Sequence, residues 1–339
     1  MTPKEKICII GCGAYGSYLL KQLLQRYDDQ VDITVVEVGG EGTQNSEEIG
    51  MATEADQSKV SRLGRYFGLG GTSARWGGQI LFFDDRDVAD GPDSGWQHVI
   101  ELNKRHRQKV LKNLLGGKKM AIPHDRGIVK HGIWLGYFKR NLFKRLSKEE
   151  RARVTWITNT RVTDLHVEEG KIRHLGLRKQ NGETIQLEAD TFYLTAGALE
   201  SCRLLQLTSL PIAREKSDLG RNLGDHVSVE LFRVFGHRPV LAGQDLTPTF
   251  IGSSLLTKRL VVTTANKRVN YAHIIVNKDV EGFSALKQAM FGKNQGKMNF
   301  GQMLQSIWFF WLFGVYLLFK REFHIHGHNW CLQWDIDQG

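Results

Sequence analysis

Cysteine is scarce: Cys8, Cys12, Cys202 and Cys331 are four in 339 residues, scattered, with no C-x-x-C pair among them. That excludes a disulfide framework, and a reduced, cytoplasmic chain is expected. Met1 to Lys6 is short and polar and runs straight into a glycine motif, so no cleaved secretory leader is expected either. The chain also lacks the run of about 20 apolar residues that a crossing helix needs. Its most apolar stretch, Ile307 to Phe319, is interrupted only by Gly314 and predicts a buried helix or an interfacial element. Acid is scarce between Glu101 and Arg153, where sixteen Lys or Arg face four Asp or Glu, a local +12 against +10 for the whole chain. This excess reads as a solvated helical face, or as a surface for an anionic membrane or an acidic partner. No nucleic-acid module accompanies the charge, so nucleic acid is not expected. His324, His326 and His328 alternate as on one face of a strand, yet no Cys or carboxylate stands at a ligand spacing. Polar sheet residues are the reading, and no metal is expected.

What is present begins with Ile7-Cys-Ile-Ile-Gly11-Cys-Gly13-Ala14-Tyr15-Gly16, β-formers running into three glycines and then an amphipathic run to Tyr27. The spacing predicts strand, tight turn and helix. Gly11 would allow the turn, Gly13 would let a pyrophosphate reach the backbone, and Gly16 would let helix and strand pack closely. Val31 to Glu37 is a second strand ending in an acid 24 residues after Gly13, near the spacing at which a carboxylate meets a ribose hydroxyl pair.

Gly68-Leu-Gly70-Gly71-Thr72-Ser73-Ala-Arg75-Trp76-Gly77-Gly78 holds five glycines in eleven residues and cannot be a regular element. Such a loop brings backbone amides close to a ligand. Trp96 to Leu115 predicts a basic amphipathic helix and His131 to Leu146 another, both inside an insertion. From Arg153 the period changes to two, and turns at Glu169-Gly170 and Asn181-Gly182 predict a β-meander. Phe192 to Leu205 repeats the opening grammar, a strand ending at Ala196-Gly197 and opening a helix. Beyond the turn-rich Leu219 to His226, Val227 to Phe235, Arg259 to Thr264 and Tyr271 to Val276 predict strands of another sheet.

The motifs GCGAYG with Glu37, LGGTSARWGG from Leu69 to Gly78, FYLTAGALESCRLL from Phe192 and LGRNLGDH from Leu219 resemble, in order, those of the glucose-methanol-choline (GMC) flavin oxidoreductases. After His226 the match is loose. The resemblance implies an α/β fold class: a FAD-binding Rossmann-like domain with a β-meander, plus an α+β substrate domain with an antiparallel sheet. Its expected layout is 1–83 for the first part of the FAD domain, 84–150 for a basic helical insertion, 151–226 for the second part and 227–339 for an incomplete substrate domain. The cofactor implied is FAD. Gly11, Gly13, Ala14, Tyr15 and Gly16 would hold its pyrophosphate and Glu37 its ribose. Gly70, Gly71, Thr72, Ser73, Arg75, Trp76, Gly77 and Gly78 would run along pyrophosphate and flavin, Val162 would meet adenine, and Ala196 and Gly197 would close over the nucleotide. Relatives with the Trp-Gly-Gly variant often carry a flavin-linked His where Arg75 stands, so binding here is expected to be non-covalent.

The activity implied is oxidation of a small-molecule alcohol or sugar by hydride transfer to flavin N5. The family's catalytic His lies beyond the point corresponding to Gly339, so the catalytic residue is unassigned and weak or absent turnover is expected. The residues also leave open a non-catalytic nucleotide-binding protein, peripheral to an anionic membrane, and a nicotinamide dehydrogenase. The resemblance leaves the alcohol, the electron acceptor and the choice between oxidase and dehydrogenase undefined.

Overall fold

Ile7, Cys8, Ile9 and Ile10 are all buried, the mark of a strand covered on both faces. The computed structural model describes residues 3–50, 64–87, 96–117, 127–210, 219–221, 226–234, 238–264, 269–276, 300–322 and 330–337. In chain order the elements are β1 (Glu5–Ile10), α1 (Ala14–Tyr27), β2 (Val31–Val36), β3 (Gln79–Ile80), α2 (Trp96–Leu114), β4 (Val129–Trp134), α3 (Lys148–Ala152) and β5 (Val154–Ile157). There follow β6 (Thr160–Glu168), β7 (Lys171–Lys179), β8 (Thr184–Glu188), β9 (Thr191–Leu194) and α4 (Gly197–Gln206). The last are β10 (His226–Val234), β11 (Val240–Leu241), β12 (Gln244–Asp245), β13 (Thr249–Ile251), β14 (Ser254–Thr263), β15 (Val269–Val276), α5 (Phe300–Lys320) and β16 (Trp330–Asp337).

Two compact units emerge, residues 1–77 with 137–223 and residues 78–136 with 224–339. The first is built on a four-stranded sheet in the order β5-β2-β1-β9, and β1 pairs in parallel with both β2 and β9. Alternation along β1 serves two cores. Ile7 and Ile9 pack with Leu20, Leu23 and Leu24 of α1, whereas Cys8 and Ile10 pack with Leu165, Leu175 and Leu177 of the meander and Leu204 of α4. The meander is the three-stranded sheet β6-β7-β8. Its tight turns carry left-handed backbone at Glu169 and Gly170 and at Gly182, as the sequence predicts.

The second unit holds a seven-stranded sheet, β10-β16-β15-β14-β4-β3 with β13 beside β14. One face is apolar, with Val129, Leu260, Ala272, Ile274, Trp330 and Leu332 in a common core. The other carries a buried charge network. Lys130 Nζ donates to Asp87 at 2.5 Å and lies 3.5 Å from Asp84, and Tyr271 Oη also donates to Asp87. Arg259 donates to Asp335 at 2.7 Å and to Gln79. His273 Nδ1 stands 3.3 Å from the same Asp335 oxygen. Burial and the Arg259 charge push the His273 imidazole down to about 4, against the pull of Asp335.

The helix expected over His131 to Leu146 is not formed. Its start belongs to β4, and only single turns at Tyr137–Lys139 and Phe143–Arg145 follow. The first residues pair on both edges as a strand instead, Gly132 with Thr257 and Ile133 with Ile80. Gly132 faces Thr257 and Gln79 across the sheet, and a Cβ at Gly136 would come within 2.4 Å of the Ser253 carbonyl. Nor is 84–150 one helical insertion, because β4 is an internal strand of the second sheet and Tyr137 onward returns to the first unit. The histidines at 324, 326 and 328 lie outside the described residues. All four cysteines are free, and burial pushes the Cys8 and Cys12 thiols up to about 12.

Candidate nucleotide site

The turn after β1 is held from both sides. Gly11 has φ +92, and its amide donates to the Val36 carbonyl at 2.8 Å. A Cβ there would stand 2.8 Å from the Thr195 carbonyl and from Ala196 Cα, so the β9 end leaves no room for any side chain. Gly16, in the first turn of α1, is tighter still: an added Cβ would lie 2.0 Å from the Gly11 carbonyl and 2.8 Å from Thr195 Oγ1. Gly13 differs from both, since a Cβ on it would meet nothing within 4 Å. It is the N-cap of α1, and no side chain caps that end. The start of a helix lined by open backbone is a natural seat for an anion.

The second glycine loop docks on the first. Gly70, φ +101, donates its amide to the Cys12 carbonyl at 2.8 Å. A Cβ on Gly71 would come within 2.9 Å of Gly13 Cα, so the two backbones touch. Ser73 fixes the single helical turn Gly71–Ala74 by donating to the Gly70 carbonyl at 2.5 Å and accepting the Leu142 amide at 3.3 Å.

Glu37 ties these loops to β2. Its Oε2 accepts the Cys12 amide at 2.7 Å, and its Oε1 accepts Gly68 at 3.1 Å and Gly39 at 3.2 Å. The side chain is 5% exposed. Burial raises its carboxyl above the usual 4.5, with the backbone amides pulling the other way.

These parts enclose a cleft of about 390 Å³, within the range of small-molecule sites. Of the residues singled out in the sequence, Gly11, Gly13, Ala14, Tyr15, Glu37, Gly71, Thr72, Val162, Ala196 and Gly197 line it. Val162 sits at a bulge of β6, and its carbonyl accepts Arg203 Nη2 at 3.0 Å. Gly16, Gly70, Ser73, Arg75, Trp76, Gly77 and Gly78 lie outside the lining. Arg75 places its guanidinium 5.8 Å from the Tyr66 ring centroid, and Trp76 Nε1 donates to the Arg140 carbonyl at 3.0 Å. Gly77 ends a segment of the first unit, and Gly78 opens the second.

The cleft also holds residues that sequence reasoning missed. Glu200, in the first turn of α4, pairs with Arg203 at 2.8 Å, Arg65 at 3.4 Å and Arg161 at 3.9 Å. Three guanidinium groups thus share one wall with a single carboxylate. Glu200 and Arg203 stand in the motif that opens at Phe192, but nothing near Arg65 or Arg161 marks them.

No protein-family profile matches the sequence, and no curated protein matches it. Among solved structures, the chain is similar to pyridoxine 4-oxidase from Mesorbium loti, at 14% identity over 98% of this chain and 71% of that one, with a TM-score of 0.49. A formate oxidase of Aspergillus oryzae RIB40, described for the effect of a mutation on FAD modification, matches at 14% identity over 99% and 73%, TM-score 0.42. A fungal aryl-alcohol oxidase matches at 12% identity over 71% of this chain and 55% of that one, TM-score 0.41. The matched part thus spans about half the length of the aryl-alcohol oxidase.

Proposed function

We propose that this chain binds FAD non-covalently in the first unit and belongs to a GMC-type oxidoreductase acting on the CH–OH group of a small-molecule alcohol or sugar. The observation that carries the reading is the contact of the two glycine loops, Gly71 on Gly13, at the uncapped start of α1. A purely structural turn has no use for a Cβ-free, open Gly13 on a cleft that three arginines also line. A pyrophosphate uses both.

The residues present fit a dinucleotide. Gly13 and the first amides of α1 would hold the pyrophosphate, with Arg65, Arg161 and Arg203 supplying positive charge on the same cleft. Glu37 borders the cleft at the end of β2, and its carboxylate would face the ribose hydroxyls. Val162 would border adenine, and Ala196 with Gly197 would close over the nucleotide. Gly70 to Gly78 would follow the cofactor toward its flavin ring. Bound FAD would supply the hydride acceptor for alcohol oxidation. Arg75 cannot form the covalent link a histidine makes, and its fixed charge would favour negative charge gathering on the ring. Among the described residues no cluster suited to a metal ion occurs.

The purified chain is expected to be yellow, or to turn yellow on titration with FAD, and acid precipitation is expected to leave all the flavin in the supernatant. Bleaching by a panel of alcohols and sugars reads out the activity. A colourless protein that takes up NAD and not FAD would sink the flavin reading. Flavin retained in the pellet would sink the non-covalent one.

A further inference from the structure

Helix α5 turns its apolar side outward. In the 21 residues from Phe300 to Lys320 the only charged residue is the last. Phe300, Leu304, Ile307, Trp311 and Leu318 recur at helical spacing, and Trp308 flanks them; each exposes between 50% and 78% of its surface. At its C-terminal end the helix is anchored, for Leu312, Val315, Tyr316 and Leu317 are half-buried and the Arg321 carbonyl accepts the Phe250 amide at 2.6 Å. In the first three turns the described side chains Phe300, Met303, Leu304, Ile307, Trp308 and Phe310 are all exposed.

We propose that this face lies in the interfacial layer of an anionic lipid membrane. Three features select that occupant. Trp308 and Trp311 stack at 5.2 Å, both more than half exposed, and paired indoles with an apolar body and one N–H suit the headgroup boundary. The apolar arc spans about half the helix without a charged residue to set register, unlike the narrow stripe of a helix made for another helix. Where the arc ends, Lys320 and Arg321 are exposed, with the Lys320 ammonium 5.3 Å from the Tyr316 ring, placing cations where anionic headgroups would lie. The helix is about 31 Å long, and among the described residues no helix is long and apolar enough to cross a membrane. It would therefore lie along the surface with its apolar side sunk into the headgroup boundary.

The test is co-sedimentation of the full chain with phosphatidylcholine vesicles, with and without one quarter phosphatidylglycerol. Tryptophan quenching by bromine-labelled lipid is read alongside, and it needs no bound flavin. Binding to the anionic vesicles is expected. Trp308→Ser with Trp311→Ser should weaken it about tenfold or more and remove most of the quenching. Lys320→Glu with Arg321→Glu should weaken binding to anionic vesicles by about tenfold and leave the neutral ones little changed. Matching circular dichroism shows that the variants are folded. Absence of vesicle binding, or binding unchanged by the tryptophan pair, overturns the proposal. So does a dimer in light scattering that the same pair abolishes, which would assign the face to a second copy of the chain.

Discussion

The carboxylate of Glu37 lies 2.7 Å from the amide of Cys12, within the first glycine turn, while its other oxygen holds Gly39 and Gly68. One side chain thus fixes three backbone segments that meet at the cleft. Glu37→Gln keeps a single acceptor oxygen and turns an N–H₂ toward a backbone donor. It should cost about 1–3 kcal/mol, read as a lower urea midpoint, and should weaken FAD binding. An unchanged midpoint would show that the amides find other partners.

The first three glycines separate folding from binding. Gly16→Ala drives a methyl into the Gly11 carbonyl and Thr195, and soluble expression should collapse or the urea midpoint fall steeply. Gly13→Ala meets nothing in the chain itself and already has a φ of −72 that alanine accepts. Its unfolding curve should be unchanged while FAD titration shows at least a tenfold weaker complex, because the methyl occupies the space a pyrophosphate needs. Equal FAD affinity in wild type and Gly13→Ala would place the phosphates elsewhere.

Lys130 supports the second sheet. Its side chain is 2% exposed and paired with Asp87 and Asp84. Burial lifts the Asp84 carboxyl, yet Arg86 and Lys130 outweigh it and hold that group at about 2. Lys130→Met takes away the cation Asp87 faces, leaving it the Tyr271 hydroxyl while Asp84 keeps Arg86, and should cost about 3–5 kcal/mol. Lys104 pairs with Asp85 at 2.6 Å in the open, and Lys104→Ala should cost less than about 1 kcal/mol. Urea unfolding of the two variants ranks them, and similar losses would refute the burial argument.

His273 makes stability depend on acid. Its imidazole binds a proton at about 4 in the folded chain against 6.5 in the reference state, so the unfolded chain takes up the proton first. Its contribution is complete above pH 6.5 and is lost as the pH falls toward 4, by at most a few kcal/mol. Urea unfolding across that window should show the slope, and His273→Asn should flatten it. A slope retained in the variant would assign the loss to other groups.

Local patterns made much of this legible in the sequence. The run Ile7 to Ile10, the spacing of Gly11, Gly13 and Gly16 and the Asn181-Gly182 turn each state a conformation within a few residues. Distant partners did not show. Lys130 is buried because Asp87 meets it from 43 positions away, and its charge reads as surface until that partner is seen. The β4 strand was hidden by the same basic residues, which suggest a solvated helix. Arg65 and Glu200, 135 positions apart, belong to one wall of the cleft without any shared motif. Glu37 was found by its distance from Gly13, but its grip on three amides depends on loop paths that spacing alone does not fix.

The parallel pairing of β1 also sets a timetable for synthesis. Ile7 meets Ile33 on one side and Thr191 on the other. The ribosome delivers the first neighbour early, but at about 5–20 residues per second the second follows roughly 8–30 s later. Through that interval a strand of four buried-type apolar residues has one edge open to any passing chain. Soluble yield in a heterologous host should therefore track how quickly translation travels from Val36 to Thr191, and rare codons placed within that interval should lower it.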